Sequence, residues 1–256
     1  MRELVTMWKY TKMVVLTALT AAVYAAVLIP LKGIPLIPGF TEVRPANAIP
    51  VTFSFLFGPA AAWGSAIGNL IADFFGTLGP GSLFGFLGNF FFGLVGYKLH
   101  GRMGLLGART LDESARGRLY IEFVLIAILA SLICATTIGW GADLLGLLPF
   151  AVLAGIIALN NTLAAVVLGP VLLWLLLPRV RRWDLLWDEI MDPADRPAPR
   201  LAWLGVVCLW IGGTGGMAAG LLASGGQPLP LLGTNPGVAT AVLPFLFLVT
   251  AGCLLL

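Results

Sequence analysis

The sequence predicts an all-α, polytopic membrane helical bundle, and three observations carry that expectation. Of the 256 residues, 59% are hydrophobic and 11% charged, and mean hydropathy is +0.97, far outside the composition of soluble domains. Uncharged apolar runs long enough to cross a bilayer, about 20 residues each, recur from Met13 to Leu256. The cations gather into clusters between those runs: Arg2, Lys9 and Lys12; Lys98, Arg102, Arg109, Arg116 and Arg118; and Arg179, Arg181, Arg182, Arg196 and Arg200. Only Lys32 and Arg44 lie elsewhere. By the positive-inside rule the three clusters, and with them both termini, are cytoplasmic, and the loop from Lys32 to Asn47 is external.

The elements follow in order. Met13 to Leu31 is longer than the roughly 7 to 15 apolar residues of a secretory signal, so it reads as a retained first helix. An odd number of spans must join the external loop to the cytoplasmic cluster at 98–118. Residues 48–97 as one helix would run about 75 Å against a hydrocarbon core of about 30 Å. Three short spans fit instead, broken at Gly58-Pro59 and at "GTLGPG", Gly76 to Gly81. Residues 119–178 hold two more, turning outside near Asp143 to Pro149. After a proline-bearing cytoplasmic stretch, 201–224 and 238–256 form a last pair. The expectation is a six-helix membrane domain over 1–183, a linker over 184–200 and a two-helix C-terminal hairpin over 201–256. No convincing internal repeat is visible, which gives the inverted-repeat architecture of many secondary transporters little support.

Polar groups inside spans are costly and usually paired or functional. Asp73 is the only charged residue between Pro45 and Tyr97, and Asn69 lies one turn away on the same face. Asn89 sits midway along the next helix, Asn160 and Asn161 about 17 Å inside the sixth, and Thr136, Thr137, Trp140 and Asp143 close the fifth. These groups share one depth, so they face inward. They are either hydrogen-bond glue between helices or the lining of a polar cavity open to the outside. The external stretch "TEVRPANAIP" places Glu42, Arg44 and Asn47 beside that cavity, as a lid or as a solvated connector.

Ala18, Ala22 and Ala26 recur every four residues on the first helix, with Ala21 and Ala25 beside them. Such a smooth stripe admits another helix, within the chain or from a partner. Cys134, Cys208 and Cys253 are odd in number and scattered through apolar runs, which suits core residues rather than disulfides or a zinc site. His100, beside Lys98 and Arg102, reads as part of a solvated face. There is no phosphate-binding GxxxxGK[ST] loop, no HExxH and no GxSxG. No basic face with interleaved aromatics suggests nucleic acid. No catalytic residue, metal ligand or cofactor is therefore assigned. A self-sufficient ion- or proton-coupled transporter using Asp73 remains the alternative to a binding subunit.

The segments "ALTAAVYAA", "FLFGPAAAWGSAIGNLIADFFG", "GSLFGFLGNFFFG" and "ALNNTLAAVVLGPVLLWLL" together resemble the substrate-binding S components of energy-coupling factor (ECF) transporters. The likeness covers about residues 8–183, and "EVRPANAIPVTFSFLFG" is most similar to the queuosine-precursor group. The resemblance implies a prokaryotic plasma-membrane subunit that captures a vitamin or related micronutrient. A membrane coupling subunit and two ATPase subunits would be its partners. It further implies that Ala18, Ala22 and Ala26 dock the coupling subunit. Glu42, Arg44 and Asn47 would lie on the lid, and Asn69, Asp73, Asn89, Asn160 and Asn161 would line the pocket. The last two helices depart from the six-helix pattern.

Overall fold

The structure, a computed structural model, describes residues 1–31, 34–37, 41–42, 44–104, 116–197, 201–228 and 236–256. Lys32, Arg109 and Arg200 lie outside the described residues. The chain opens with a single turn, α1 (Glu3–Thr6), before α2 (Thr11–Leu31). A two-stranded hairpin, β1 (Pro35–Ile37) with β2 (Thr41–Glu42), occupies the following loop. Then come α3 (Ala48–Phe57), α4 (Pro59–Asp73), α5 (Ser82–Leu99), α6 (Arg116–Leu144) and α7 (Phe150–Arg182). The short α8 (Trp187–Ile190) precedes α9 (Ala202–Trp210), which runs through a π-helical turn at Ile211–Gly215 into α10 (Gly216–Ser224). α11 (Val238–Leu255) closes the chain.

Among the described residues, six helical segments are long and apolar enough to cross a membrane: α2, α5, α6, α7, the α9–α10 run and α11. The three short spans expected between residues 48 and 97 are α3, α4 and α5. At 10 and 15 residues, α3 and α4 reach only about 15 and 22 Å, less than a full crossing each. They reverse direction at Gly58, whose φ of +55° is the left-handed conformation that glycine tolerates. Pro59 then opens α4 at the position where its missing N–H costs nothing.

The helices pack through small residues, as bundles in lipid do. A Cβ on Gly68 of α4 would meet the Ala21 carbonyl oxygen of α2 at 2.8 Å, and one on Gly93 of α5 would meet the Ala61 carbonyl oxygen of α4 at 2.6 Å. The C-terminal helices lie against α6: Gly213 faces Leu129 and Ile133, and Gly212 faces Val249 of α11. In α2 the two alanine rows separate. Ala21 and Ala25 are buried with Thr17, Thr20, Tyr24 and Leu28, whereas Ala18, Ala22 and Ala26 are exposed.

The end carrying the basic clusters corrects one expectation: Lys98 and His100 do not form a solvated face. Lys98 is 0% exposed, with its Nζ ion-paired at 2.5 Å to Glu3 Oε1. His100 is buried against the Phe55 ring at 4.6 Å, with Nδ1 3.6 Å from Glu122 Oε2. The cause is folding back of both chain ends. Trp63 Nε1 donates to the Leu4 carbonyl at 3.0 Å, and Arg102 Nη1 donates to the Leu256 carbonyl at 2.6 Å, closing over the end of α5. Residues 183–197 also pack down: Trp187 is buried against Tyr97, ring centroids 4.9 Å apart. Tyr10 OH donates to Asp195 Oδ2 at 2.8 Å.

Candidate functional site

At the opposite end, a cavity of about 260 Å³ opens between α4, α5, α6 and α7. Arg44, Asn69, Asp73 and Ser82 supply its polar wall, and Ile138, Leu153 and Ile157 its apolar one. The turn over Gly76–Gly81 forms the rim. Asn69 and Asp73 stand one turn apart at the end of α4, which aligns them as i and i+4. Asn69 Nδ2 donates to Asp73 Oδ2 at 3.3 Å, and Thr77 Oγ1 donates to Asp73 Oδ1 at 2.9 Å. Arg44 Nη1 donates to Asn69 Oδ1 at 3.1 Å. Guanidinium, carboxamide and carboxylate thus follow one another along a single wall. Asp73 is only 5% exposed, so an N–H donor reaching it would be recognised away from bulk water, where hydrogen bonds to charge are strongest.

Gly85 makes room for this wall. A Cβ there would come within 3.1 Å of Asn69 Nδ2 and 3.6 Å of Asp73 Oδ2.

A second polar layer lies behind the cavity. The Tyr24 hydroxyl of α2, fully buried, is 2.6 Å from Asn47 Oδ1 and 2.9 Å from Asn89 Oδ1. A phenol carries one proton, so it donates to one of these amides and accepts from the other, whose oxygen and nitrogen exchange places. Asn47 is in turn 2.5 Å from the Asn161 side chain, and Asn161 lies 3.5 Å from Cys134 Sγ. Asn89 Nδ2 donates to the Gly85 carbonyl at 2.9 Å. Five elements are tied by this chain: α2, the entry to α3, α5, α6 and α7. Cys134 is therefore more than inert packing.

The sequence-predicted residues sort as follows. Arg44, Asn69 and Asp73 line the cavity. Asn47, Asn89 and Asn161 form the layer behind it, and Asn160 Oδ1 accepts from the Arg44 backbone N–H at 3.4 Å. Trp140 stands apart, its Nε1 donating to the Ala239 carbonyl of α11 at 3.0 Å and its ring edge-on to Phe84. Glu42 pairs through its backbone with Pro35, and its side chain lies outside the description. Tyr24, Thr77 and Gly85 were missed. The signals for them were a lone tyrosine among alanines on α2 and a glycine four residues before Asn89.

Replacing Asn47 by alanine leaves Tyr24 and Asn161 each short of a partner in the bundle interior. Unsatisfied buried polar groups cost about 1–3 kcal/mol each, so thermal unfolding in detergent should show a loss of about 2–6 kcal/mol. Asn47→Ala unfolding like wild type would mean that this layer holds nothing together.

A multi-pass helical bundle whose buried polar side chains converge on one end cavity is the architecture of a membrane transport protein. The family model described as QueT transporter matches residues 14–178, more than half of the chain. The chain belongs to that family, which bears out the resemblance read from the sequence. The match runs from α2 to the last turns of α7 and stops before the α9–α11 segment. No curated protein and no solved structure matches the chain.

Proposed function

We propose that the chain is the substrate-binding S component of an ECF-type importer, capturing a queuosine precursor or related small heterocycle from outside. The observation that carries this reading is the wall of Arg44, Asn69 and Asp73. Its fixed donors and acceptors face apolar side chains in a cavity at the end opposite the basic clusters. The charge rule makes that end external. A flat, nitrogen-rich ring suits such a site: apolar walls take its faces, and the polar row reads its edge. The loop ending at Arg44 is the natural lid, because Arg44 reaches the cavity while Asn47, three residues on, is locked to α2 and α7.

Uptake then needs partners, since no phosphate-binding motif occurs in the chain. The exposed row of Ala18, Ala22 and Ala26 offers a membrane coupling subunit a smooth docking face, and two ATPase subunits supply the energy. The protein is accordingly read as a non-enzymatic plasma-membrane subunit with both termini in the cytoplasm.

Native mass spectrometry of the purified full chain with a queuosine-precursor base should show one bound molecule, reduced in Asn161→Ala. A chain that binds no base, yet moves solute into liposomes under an ion gradient without ATPases, would replace this reading with a secondary transporter.

A further inference from the structure

Behind the cavity, Tyr24, Asn47, Asn89, Asn161 and Cys134 stand in a row, none of them more than 3% exposed. Bulk water is shut out, so donors and acceptors have to be matched within the row, and counting protons decides which way each amide faces.

The count starts at the end that has no choice. The Gly85 carbonyl can only accept, so Asn89 turns its Nδ2 toward it at 2.9 Å and its Oδ1 toward the Tyr24 hydroxyl, also at 2.9 Å. The single phenolic proton is thereby committed to Asn89. The Tyr24 oxygen must then accept from Asn47, 2.6 Å away, which presents Nδ2 to Tyr24 and Oδ1 to Asn161. Asn161 meets that oxygen with its own Nδ2 at 2.5 Å, and its Oδ1 is left facing Cys134 Sγ at 3.5 Å. An amide oxygen cannot donate, so the thiol does, and its S–H closes the row. The reverse assignment fails at the other end. With the phenol donating to Asn47, Asn89 would offer Nδ2 to Tyr24 and set its Oδ1 against the Gly85 carbonyl, two buried acceptors with no proton between them.

We infer that these groups form one hydrogen-bond chain with a single direction, from Cys134 through Asn161, Asn47, Tyr24 and Asn89 to the Gly85 carbonyl, and that it makes Cys134 and Tyr24 positioning residues for the cavity. It holds the cavity at three points. Asn47 roots the segment that carries Arg44. Gly85 lies against Asn69 and Asp73, and Ile138, on the apolar wall, stands one turn beyond Cys134 on the same face of α6. Bonds aligned head to tail polarise one another, so interrupting one loosens the rest. The positioning role rests on the reading of the cavity as a capture site, whereas the direction of the chain does not.

Three measurements on the purified full chain in detergent test the proposal, two of them without ligand. Infrared difference spectra against Cys134→Ala isolate the Cys134 S–H stretch, because Cys208 and Cys253 are common to both samples. A donating thiol absorbs at lower frequency than a free one, so the Cys134 band should lie low and should move when Asn161→Ala removes its acceptor. Amide hydrogen exchange across residues 44–51 should quicken about fivefold in Cys134→Ala, the ratio equivalent to one hydrogen bond. It should recover in Cys134→Ser, whose hydroxyl restores a donor. Capture of a queuosine-precursor base, measured by calorimetric titration, should weaken and recover in the same order, and Tyr24→Phe should weaken it at least as much. A Cys134 band indifferent to Asn161→Ala, with exchange unchanged in Cys134→Ala, would overturn the chain. Cys134→Ser behaving like Cys134→Ala would assign the effect to lost sulfur volume and overturn it equally. If band and exchange respond as expected while wild type binds no base, the capture reading falls and the chain stands.

Discussion

Asp73→Asn is expected to weaken capture of a queuosine-precursor base by about 30-fold or more, measured by calorimetric titration of the purified chain. The substitution keeps size and shape but removes the charge. It also turns one of two acceptor oxygens into a donor that must face either Asn69 Nδ2 or the Thr77 hydroxyl, both donors to Asp73 now. Truncating one side of a buried, hydrogen-bonded charge interaction costs about 2–5 kcal/mol, which is the stated loss of affinity. An unfolding midpoint near wild type would show that recognition, rather than folding, had failed. Unchanged affinity would demote Asp73 to a helix-end bracket and move the ligand elsewhere.

Glu3→Leu is the substitution with the largest expected effect on stability. It strands Lys98, which is wholly buried and ion-paired to Glu3. An uncompensated buried charge costs about 3–5 kcal/mol, whereas replacing both partners by apolar groups is often neutral. The double variant Glu3→Leu with Lys98→Met should therefore regain most of the lost unfolding free energy, and no recovery would refute the pairing. The pH dependence follows from the same geometry. Burial alone would raise the Glu3 carboxyl, but Lys98 and the Met1 ammonium, 2.9 Å away, hold it below the ordinary glutamate range. A carboxyl depressed in the folded state contributes stability that is complete above its unfolded value. That contribution is lost as pH falls through the folded one. Wild type should thus lose stability on acidification, and the double variant should lose less.

Helix number and end-to-end order were legible because apolar length and basic clusters are one-dimensional signals. Gly58-Pro59 marked its turn because both residues constrain the backbone locally. The shared depth of Asn69, Asp73, Asn89 and Asn161 was likewise countable along each helix. Which residue bonds which was not, beyond the i, i+4 pair of Asn69 and Asp73, since lateral neighbours depend on helix rotation. Tyr24 was hidden for that reason: its importance comes from amides 23 and 65 residues away. The solvated reading of Lys98 and His100 failed because a short segment before the first helix folded back as a lid of its own, and Glu3 carried no pattern that announced it.

Trp140 gives the C-terminal hairpin a consequence for timing. Through its bond to Ala239 the end of α6 is fastened to α11, while Ile138, two residues before it, faces the cavity. The wall on that side is backed by a second rank of helix. Escape of a bound molecule requires some wall to yield, and among related complexes affinity differences reside mostly in the rate of escape. On the proposed reading of the chain as a capture subunit, the added helices are expected to damp leakage and so lengthen the dwell of cargo.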